Sequence, residues 1–379
     1  MRILYVTGMW SGLESYLKNG KPTGMPAFIK PLLFMAQSEY IEVIIYDVKY
    51  LHDTIIYRDN IKFTIISTSM IGIFRHILSN LSVYKTFDIV YGHGSIGSLG
   101  YLIAKILNIK YCQRIYGTFL YKEITTNSLW KIFARHPLEY LAFKLPSALC
   151  IVTNDGTFGN IVFEKIGGKS RRMEFLMNGV DKHFEPTEES GPICRFIHYP
   201  ARIDRWKRLD YAVDFISELH KLGNIDIKLV VCGKIIDQSY FDEVKHNIEK
   251  LGLTQSIIYM GEVDQSTIVK YNKNCLAFGS FYDVSNLGNA LLEAVSQGCT
   301  IVSRKDTSVG FIEDNGMGIL ANTPQELAEK FNDLLKKEEL PKTKNASKVY
   351  SRDHLMTWLQ RCDVEHMLLR SLSPVKTKK

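Results

Sequence analysis

Four cations crowd the segment ARIDRWKR at 201–208: Arg202, Arg205, Lys207 and Arg208. The segment follows a short β-branched run and precedes an amphipathic one, so it reads as the turn from a strand into a helix. Positive side chains at a helix N-terminus oppose the macrodipole, at a cost of roughly tenths of a kcal/mol per charge. A bound phosphate removes that conflict, and so does pairing with Asp204 and Asp210 in a solvated loop. A second segment, SFYDVSNLGNALLEAVSQGC at 280–299, has the same topology. Its turn carries Ser285, Asn286 and Gly288, and free backbone N–H groups at the helix start that follows would form an anion site. On that helix Glu293 is flanked at helical spacing by Asn289, Ala290, Ser296 and Gln297. Periodicity alone puts Glu293 on a solvated face, and only a wider pattern would make it a ligand contact.

Two further candidates follow strands in the first half. His93 in YGHGSIG is either a satisfied structural histidine or a substrate contact. Asp155 in TNDGT is open to the same two readings, because Asn-Asp-Gly also makes an ordinary turn.

Short apolar, β-branched runs alternating with longer amphipathic stretches predict buried parallel strands between helices, an α/β architecture. Strands are expected at 3–7, 42–47, 63–66, 89–92, 110–115 and 148–153, with helices near 27–37, 98–107 and 128–143. The second half repeats the rhythm, with strands at 195–199, 228–232, 257–260, 275–278 and 300–303 and helices at 209–222, 240–251, 266–272, 287–297 and 324–336. The turn-rich, acidic stretch at 177–192 is the expected linker. Two doubly wound domains leave a cleft at the carboxyl ends of their strands, where open α/β sheets bind ligands.

A chain of 379 residues, 46% hydrophobic and 23% charged, accommodates two domains and excludes disorder or a disulfide-stapled miniprotein. Residues 1–180 hold 20 Lys/Arg against 12 Asp/Glu, whereas the rest is nearly balanced at 27 against 28. The basic half suits an anionic ligand, a phospholipid surface or nucleic acid, and nothing resembling a nucleic-acid recognition motif is present. Seven scattered cysteines without a CxxC pair predict a reduced, cytosolic chain with no zinc site. The apolar start breaks off at Gly8, too early for a signal peptide, and no apolar run approaches the roughly 18 residues of a membrane span.

Taken together, these segments resemble the GT-B glycosyltransferases, in particular the retaining glycosyltransferase family four. The resemblance runs through TGMP at 23–26, FDIVYGHG at 87–94, MNGVD at 177–181, ARIDRWK at 201–207, KLVVCG at 228–233, IIYMGEV at 257–263 and SNLGNALLEAVSQGCTIV at 285–302. It implies two Rossmann-like doubly wound domains facing across a cleft: an acceptor-binding domain at 1–180, a nucleotide-sugar domain at 181–350, and a C-terminal helix at 351–370 crossing back to the first. By the same resemblance, Arg202 and Lys207 hold the donor diphosphate and stabilise the leaving nucleotide without a metal or other cofactor. Glu293 accepts from the ribose hydroxyls, and the backbone around Ser285, Asn286, Leu287 and Gly288 meets phosphate or sugar. Gly261 and Val263 flank the base, and Gly24 lies in the loop after the first strand. The family often carries glutamate at the position of Ser285 and histidine at that of Tyr116. Tyr116 can donate a hydrogen bond but is a poor base at neutral pH. Beside the resemblance, His93 and Tyr116 join Arg202 and Lys207 as catalytic candidates, and Arg114 and Asp155 are candidates on the acceptor side.

The resemblance implies transfer from a nucleotide-diphosphate sugar, UDP-sugar favoured, to a glycan or lipid-linked acceptor in cell-surface polysaccharide or glycolipid synthesis. The stretch at 125–146 mixes Trp130, Phe133, Tyr140 and Phe143 with Lys131, Arg135 and Lys144, as a helix on a membrane surface would, and as a core-packed helix also could. An epimerase of the same architecture and a non-catalytic nucleotide-sugar-binding partner are the competing readings. A Rossmann dehydrogenase is disfavoured because TGMWSGLESY lacks GxGxxG.

Overall fold

The computed structural model describes residues 1–20, 27–47, 53–67, 69–181 and 194–372. The chain divides into two units, Met1–Asn178 with Trp358–Lys379, and Gly179–Thr357.

The first unit is built on strands β1 (Arg2–Gly8), β2 (Tyr40–Tyr46), β3 (Thr54–Arg58), β4 (Ile61–Ile66), β5 (Ile89–His93), β6 (Lys110–Ile115), β7 (Leu149–Asn154) and β8 (Met173–Met177). They form one sheet in the order β3-β4-β2-β1-β5-β6-β7-β8, parallel except for the β3–β4 pair. β3 and β8 add to the six strands expected. β3 alternates between half-buried and exposed positions, which hides an edge strand from a search for continuous apolar runs. Alternation sends Ile3, Tyr5, Val43, Ile89 and Tyr91 to one face, under helices Ser11–Asn19, Ile29–Met35 and Trp358–Arg370. Leu4, Val6, Ile44 and Val90 face the other way. The C-terminal helix thus completes the first unit, with Leu368 and Leu369 in its core.

The helix expected at 128–143 is two helices, Leu129–Arg135 and Pro137–Lys144. Pro137 has no N–H to donate and disfavours a helical conformation at His136, whose φ of −133° and ψ of 58° end the first segment. Ser11–Asn19, read as part of a turn, is also a helix.

The second unit carries β9 (Phe196–Pro200), β10 (Lys228–Cys232), β11 (Ile257–Tyr259), β12 (Ala277–Ser280), β13 (Ile301–Arg304) and β14 (Gly318–Ala321), all parallel, in the order β11-β10-β9-β12-β13-β14. Its chain order is 3-2-1-4-5-6, so the strand order reverses between β9 and β12. Helix Leu209–Lys221 buries Val213, Phe215, Ile216 and Leu219 against the sheet, and Pro324–Lys336 adds Leu327 and Phe331 to the same core. Both segments with clustered candidates therefore leave the sheet at its topological switch point.

Candidate active site

In the second unit the loop after β9 and the loop after β12 are locked together. The indole N–H of Trp206 donates to the Val284 carbonyl at 3.2 Å, and the Asp283 N–H donates to the Trp206 carbonyl at 3.2 Å. Gly233, at the end of β10, has a φ of 153°, and a Cβ there would come within 2.0 Å of the Ala201 carbonyl oxygen. Only glycine lets the 201–208 loop lie this close to the next strand end.

The four clustered cations separate into two kinds. Arg205 reaches Glu243 at 2.6 Å and Asp237 at 3.7 Å. Arg208, at a φ of 58°, turns its guanidinium to Asp210 at 2.8 Å and Asp283 at 2.9 Å. Of the two readings open for the cluster, pairing within the chain holds for these two, since carboxylates of the chain neutralise them. Arg202 is exposed and has Asp204 only at 3.8 Å. The Lys207 ammonium stands over aromatic rings, 3.5 Å from the centroid of Tyr282 and 4.3 Å from that of Trp206. Burial, then the charge of Arg202, push its pKa down to about 8 against the pull of Asp204. Arg202 and Lys207 are the pair left for a ligand.

Helix Asn289–Ser296 starts at Gly288, which has no side chain to cap it. Two of the amides assigned to a donor are nonetheless engaged: the Asn286 N–H donates to Asp306 at 3.0 Å, and the Gly288 N–H to the Asn286 carbonyl at 2.8 Å. The Asn286 side chain is buried and bonded to Ser280, Tyr282 and Asp306, so it shapes the loop and does not face a ligand. That corrects the assignment of Asn286 and Gly288 as amides free for phosphate, and Leu287 between them is buried. Ser285 is buried at a φ of 63°. Asp283, two residues earlier, is held below the usual carboxylate range: burial would raise it, but Arg208 and Arg304 outweigh burial.

Glu293 is half-buried and accepts from the Gln265 side chain at 2.9 Å. Gln265 opens helix Gln265–Asn274, directly after Gly261–Asp264. The carbonyl of Gly261 accepts from the Gly233 N–H at 2.7 Å, which ties the loop after β11 to the end of β10. Gly261, Val263 and Glu293 thus belong to one neighbourhood, joined through Gln265.

In the first unit, His93 ends β5. Its ring stacks on Tyr5 at 4.5 Å between centroids, meets Tyr91 edge-on, and its Nδ1 is hydrogen-bonded to the Tyr116 hydroxyl at 2.8 Å. Burial, opposed by Glu365 and reinforced by Arg114, pushes its pKa down to about 3, so the imidazole is neutral. Its place among the catalytic candidates gives way to the structural reading, a packed ring whose Nδ1 is bonded to Tyr116. A cavity of about 20 Å³, room for a water, is lined by Trp10, Phe28, His93 and Tyr116 among others. Burial raises the Tyr116 phenol first of all, which keeps it protonated.

Arg114 is not an acceptor contact. It is buried, donates to the carbonyl of Ile115 at 2.8 Å and the hydroxyl of Thr153 at 2.7 Å, and lies 3.4 Å from Glu365 of the C-terminal helix. Asp155 makes the ordinary turn, with Oδ1 accepting from the N–H and hydroxyl of Thr157 at 3.1 and 2.7 Å. Its pKa is raised chiefly by burial, against those hydrogen bonds. Gly24 lies outside the described residues. The sequence reading missed Trp206 and Tyr282 as the seat of Lys207, Gln265 as the partner of Glu293, and Asp306 as the anchor of the turn. Both aromatics stand inside the quoted segments, but nothing in their spacing announces that they meet.

Residues 188–349 match the family described as Glycosyl transferases group 1. No curated protein sequence matches the chain. Among solved structures, HepE of Anabaena in complex with UDP superposes with a TM-score of 0.73 at 15% identity, covering 98% of this chain and 100% of that one. Sucrose-phosphate synthase of Thermosynechococcus elongatus gives 0.69 at 11% identity, covering 98% and 99%. WaaG, a glycosyltransferase involved in lipopolysaccharide biosynthesis, gives 0.65 at 14%, covering 96% and 99%. The fold is GT-B.

Proposed function

We propose that the chain is a retaining glycosyltransferase that moves a sugar from a nucleotide diphosphate to a glycan or lipid-linked acceptor. The observation that carries this reading is the Arg202–Lys207 pair at the switch point beside an uncapped helix start: Arg202 has Asp204 only at 3.8 Å and Lys207 rests on aromatic rings, while Arg205 and Arg208 are closed by nearer carboxylates. Cations already in place before the reaction stabilise charge that develops on the leaving diphosphate. In that reaction the bond from the anomeric carbon to the phosphate oxygen breaks and a bond to the acceptor oxygen forms. The acceptor proton passes to the leaving phosphate, so neither the neutral His93 nor the protonated Tyr116 need serve as a base. Glu293, oriented by Gln265, would receive the ribose hydroxyls, and the Gly261–Val263 segment the base.

A UDP-sugar is the favoured donor, in keeping with the UDP-glucose complex of HepE. The basic first unit favours an anionic or lipid-linked acceptor at the cytoplasmic face of a membrane, in cell-surface polysaccharide or glycolipid synthesis. Screening UDP, GDP and ADP and their sugars for protection against thermal unfolding tests the reading. A ligand at 100 times its Kd adds about 2.7 kcal/mol, and a chain protected by none of them is not such an enzyme.

A further inference from the structure

The outer surfaces of the first unit are not alike. Helices Met70–Ser79, Leu81–Tyr84 and Gly100–Leu107 cover one sheet face through Ile73, Ile77, Tyr84 and Ile103. Helix Leu129–Arg135 covers the same face further along, where Ile132 packs with Ile115 and Val152. A helix laid on a sheet should turn polar residues to water. Met70–Ser79 does not: Ile73 and Ile77 are buried, yet Ile71, Phe74 and Leu78 on its outer side are 77%, 44% and 58% exposed. Ile106 and Trp130 extend the apolar surface along the layer, at 45% and 75% exposed.

The charge on this layer has one sign. The four helices carry Arg75, Lys105, Lys131 and Arg135 and no acidic residue, and the sequence has no Asp or Glu between Asp59 and Asp88. Of the acids nearby, Asp53 accepts from the Ser67 N–H at 2.9 Å and Asp88 from the Arg2 N–H at 2.7 Å, while Glu123, 3.7 Å from Arg135, pairs with that one cation of the layer and leaves Arg75, Lys105 and Lys131.

We propose that this helix layer docks on an anionic lipid surface, with Ile71, Phe74 and Leu78 entering the apolar boundary and Arg75, Lys105 and Lys131 meeting headgroup phosphates. Apolar depth and negative charge together are what such a surface offers. A second copy of the chain is the poorer occupant, because a twofold contact would set Arg75 and Lys105 near the same cations of the other copy. The aromatic stretch around Trp130, open from sequence to a membrane-surface or a core-packed reading, becomes one end of a broader surface. The inference rests on the first unit and not on the donor chemistry.

Sedimentation of the full chain with phosphatidylcholine vesicles, with and without phosphatidylglycerol, tests it. The native chain should bind the anionic vesicles and release from them as salt rises. Phe74→Asp/Leu78→Asp should weaken binding by about tenfold or more, and Arg75→Gln/Lys105→Gln should lower binding to anionic vesicles selectively. Should the first variant fail to fold, Ile71→Ser and the charge variant carry the test. Thermal protection by UDP, measured on the same variants, should be unchanged, which separates this inference from the donor reading. No binding by the native chain, or undiminished binding by both variants, overturns the proposal. So does a concentration-dependent dimer lost on Phe74→Asp/Leu78→Asp, which would give the face to a second copy.

Discussion

The ammonium of Lys207 lies 3.5 Å from the centroid of the Tyr282 ring, and Tyr282 is itself buried on the loop after β12. The lysine is thus held by a residue from the other side of the topological switch point. A cation over a desolvated ring gains on the order of 0.5 to 2 kcal/mol, enough to fix a long side chain in one place. Tyr282→Phe keeps the ring and should retain donor affinity within about twofold. Tyr282→Leu removes it and should lower UDP affinity by roughly tenfold, beyond its effect on folding. Calorimetric titration with UDP checks both, and equal affinities in the two variants would show that the ring does not place the lysine.

The depressed pKa of Lys207 gives a pH dependence with a definite sign. Between about 8 and 10.5 the unfolded chain holds a proton that the folded chain has released, so this group makes stability rise with pH across that window. A bound diphosphate works the other way, because it favours the ammonium. UDP affinity should therefore be greatest below pH 8 and fall by up to about tenfold per unit above it. Proton uptake on binding near pH 9, read from titrations in buffers of different ionisation enthalpy, measures the linkage. Affinity that stays level from neutral pH into this window would remove Lys207 from the phosphate site.

Among the clustered cations, effects should divide by partner. Arg202→Ala and Lys207→Ala should lower turnover by about a hundredfold or more with little change in melting temperature. Arg205→Ala breaks an exposed pair and should change neither by much. Arg208→Ala should instead cost on the order of 1 kcal/mol of stability, since it removes the pairs to Asp210 and Asp283 and leaves them to Tyr240 and Arg304. Steady-state kinetics beside thermal melts separates the classes, and near-normal turnover in both Arg202→Ala and Lys207→Ala contradicts the assignment.

The division of those cations marks how far the sequence could be read. ARIDRWKR shows four positive residues before a helix, but Glu243 and Asp283, which close two of them, stand far along the chain on other elements. Strands with apolar residues on both faces, such as Ile3 to Val6 and Ile89 to Tyr91, announce themselves because both faces are covered. Edge strand β3 lacks that signal, and β14, though buried on both faces, is only four residues long. Pro137 stands inside the span read as one helix, and its missing N–H divides it in two. His93 looked like a cleft residue from its place after a strand. Only packing shows Tyr5 and Tyr91 enclosing its ring.

Metal independence is the expectation these cations raise. If Arg202, Lys207 and the helix start neutralise the diphosphate, EDTA should leave turnover within about twofold of the untreated enzyme, as purely electrostatic donors need no ion to act. Loss of activity in EDTA with recovery in manganese would mean that an ion shares the task.

Glu293 offers the sharpest contrast between a structural and a binding role. It is half-buried, and Gln265 donates to it at 2.9 Å. If that bond is its whole purpose, Glu293→Gln should change stability by roughly half a kcal/mol and leave donor affinity alone. If the carboxylate also takes the ribose hydroxyls, the amide keeps the shape but weakens charge-assisted hydrogen bonds, so UDP affinity should fall by roughly tenfold or more while folding is spared. A deoxyribose donor separates the two. Losing a ribose hydroxyl should weaken binding to the native protein and weaken it much less in Glu293→Gln, because the interaction is already lost there. Equal losses in both proteins would mean that Glu293 does not touch the ribose, and that its bond to Gln265 serves only to join two helices.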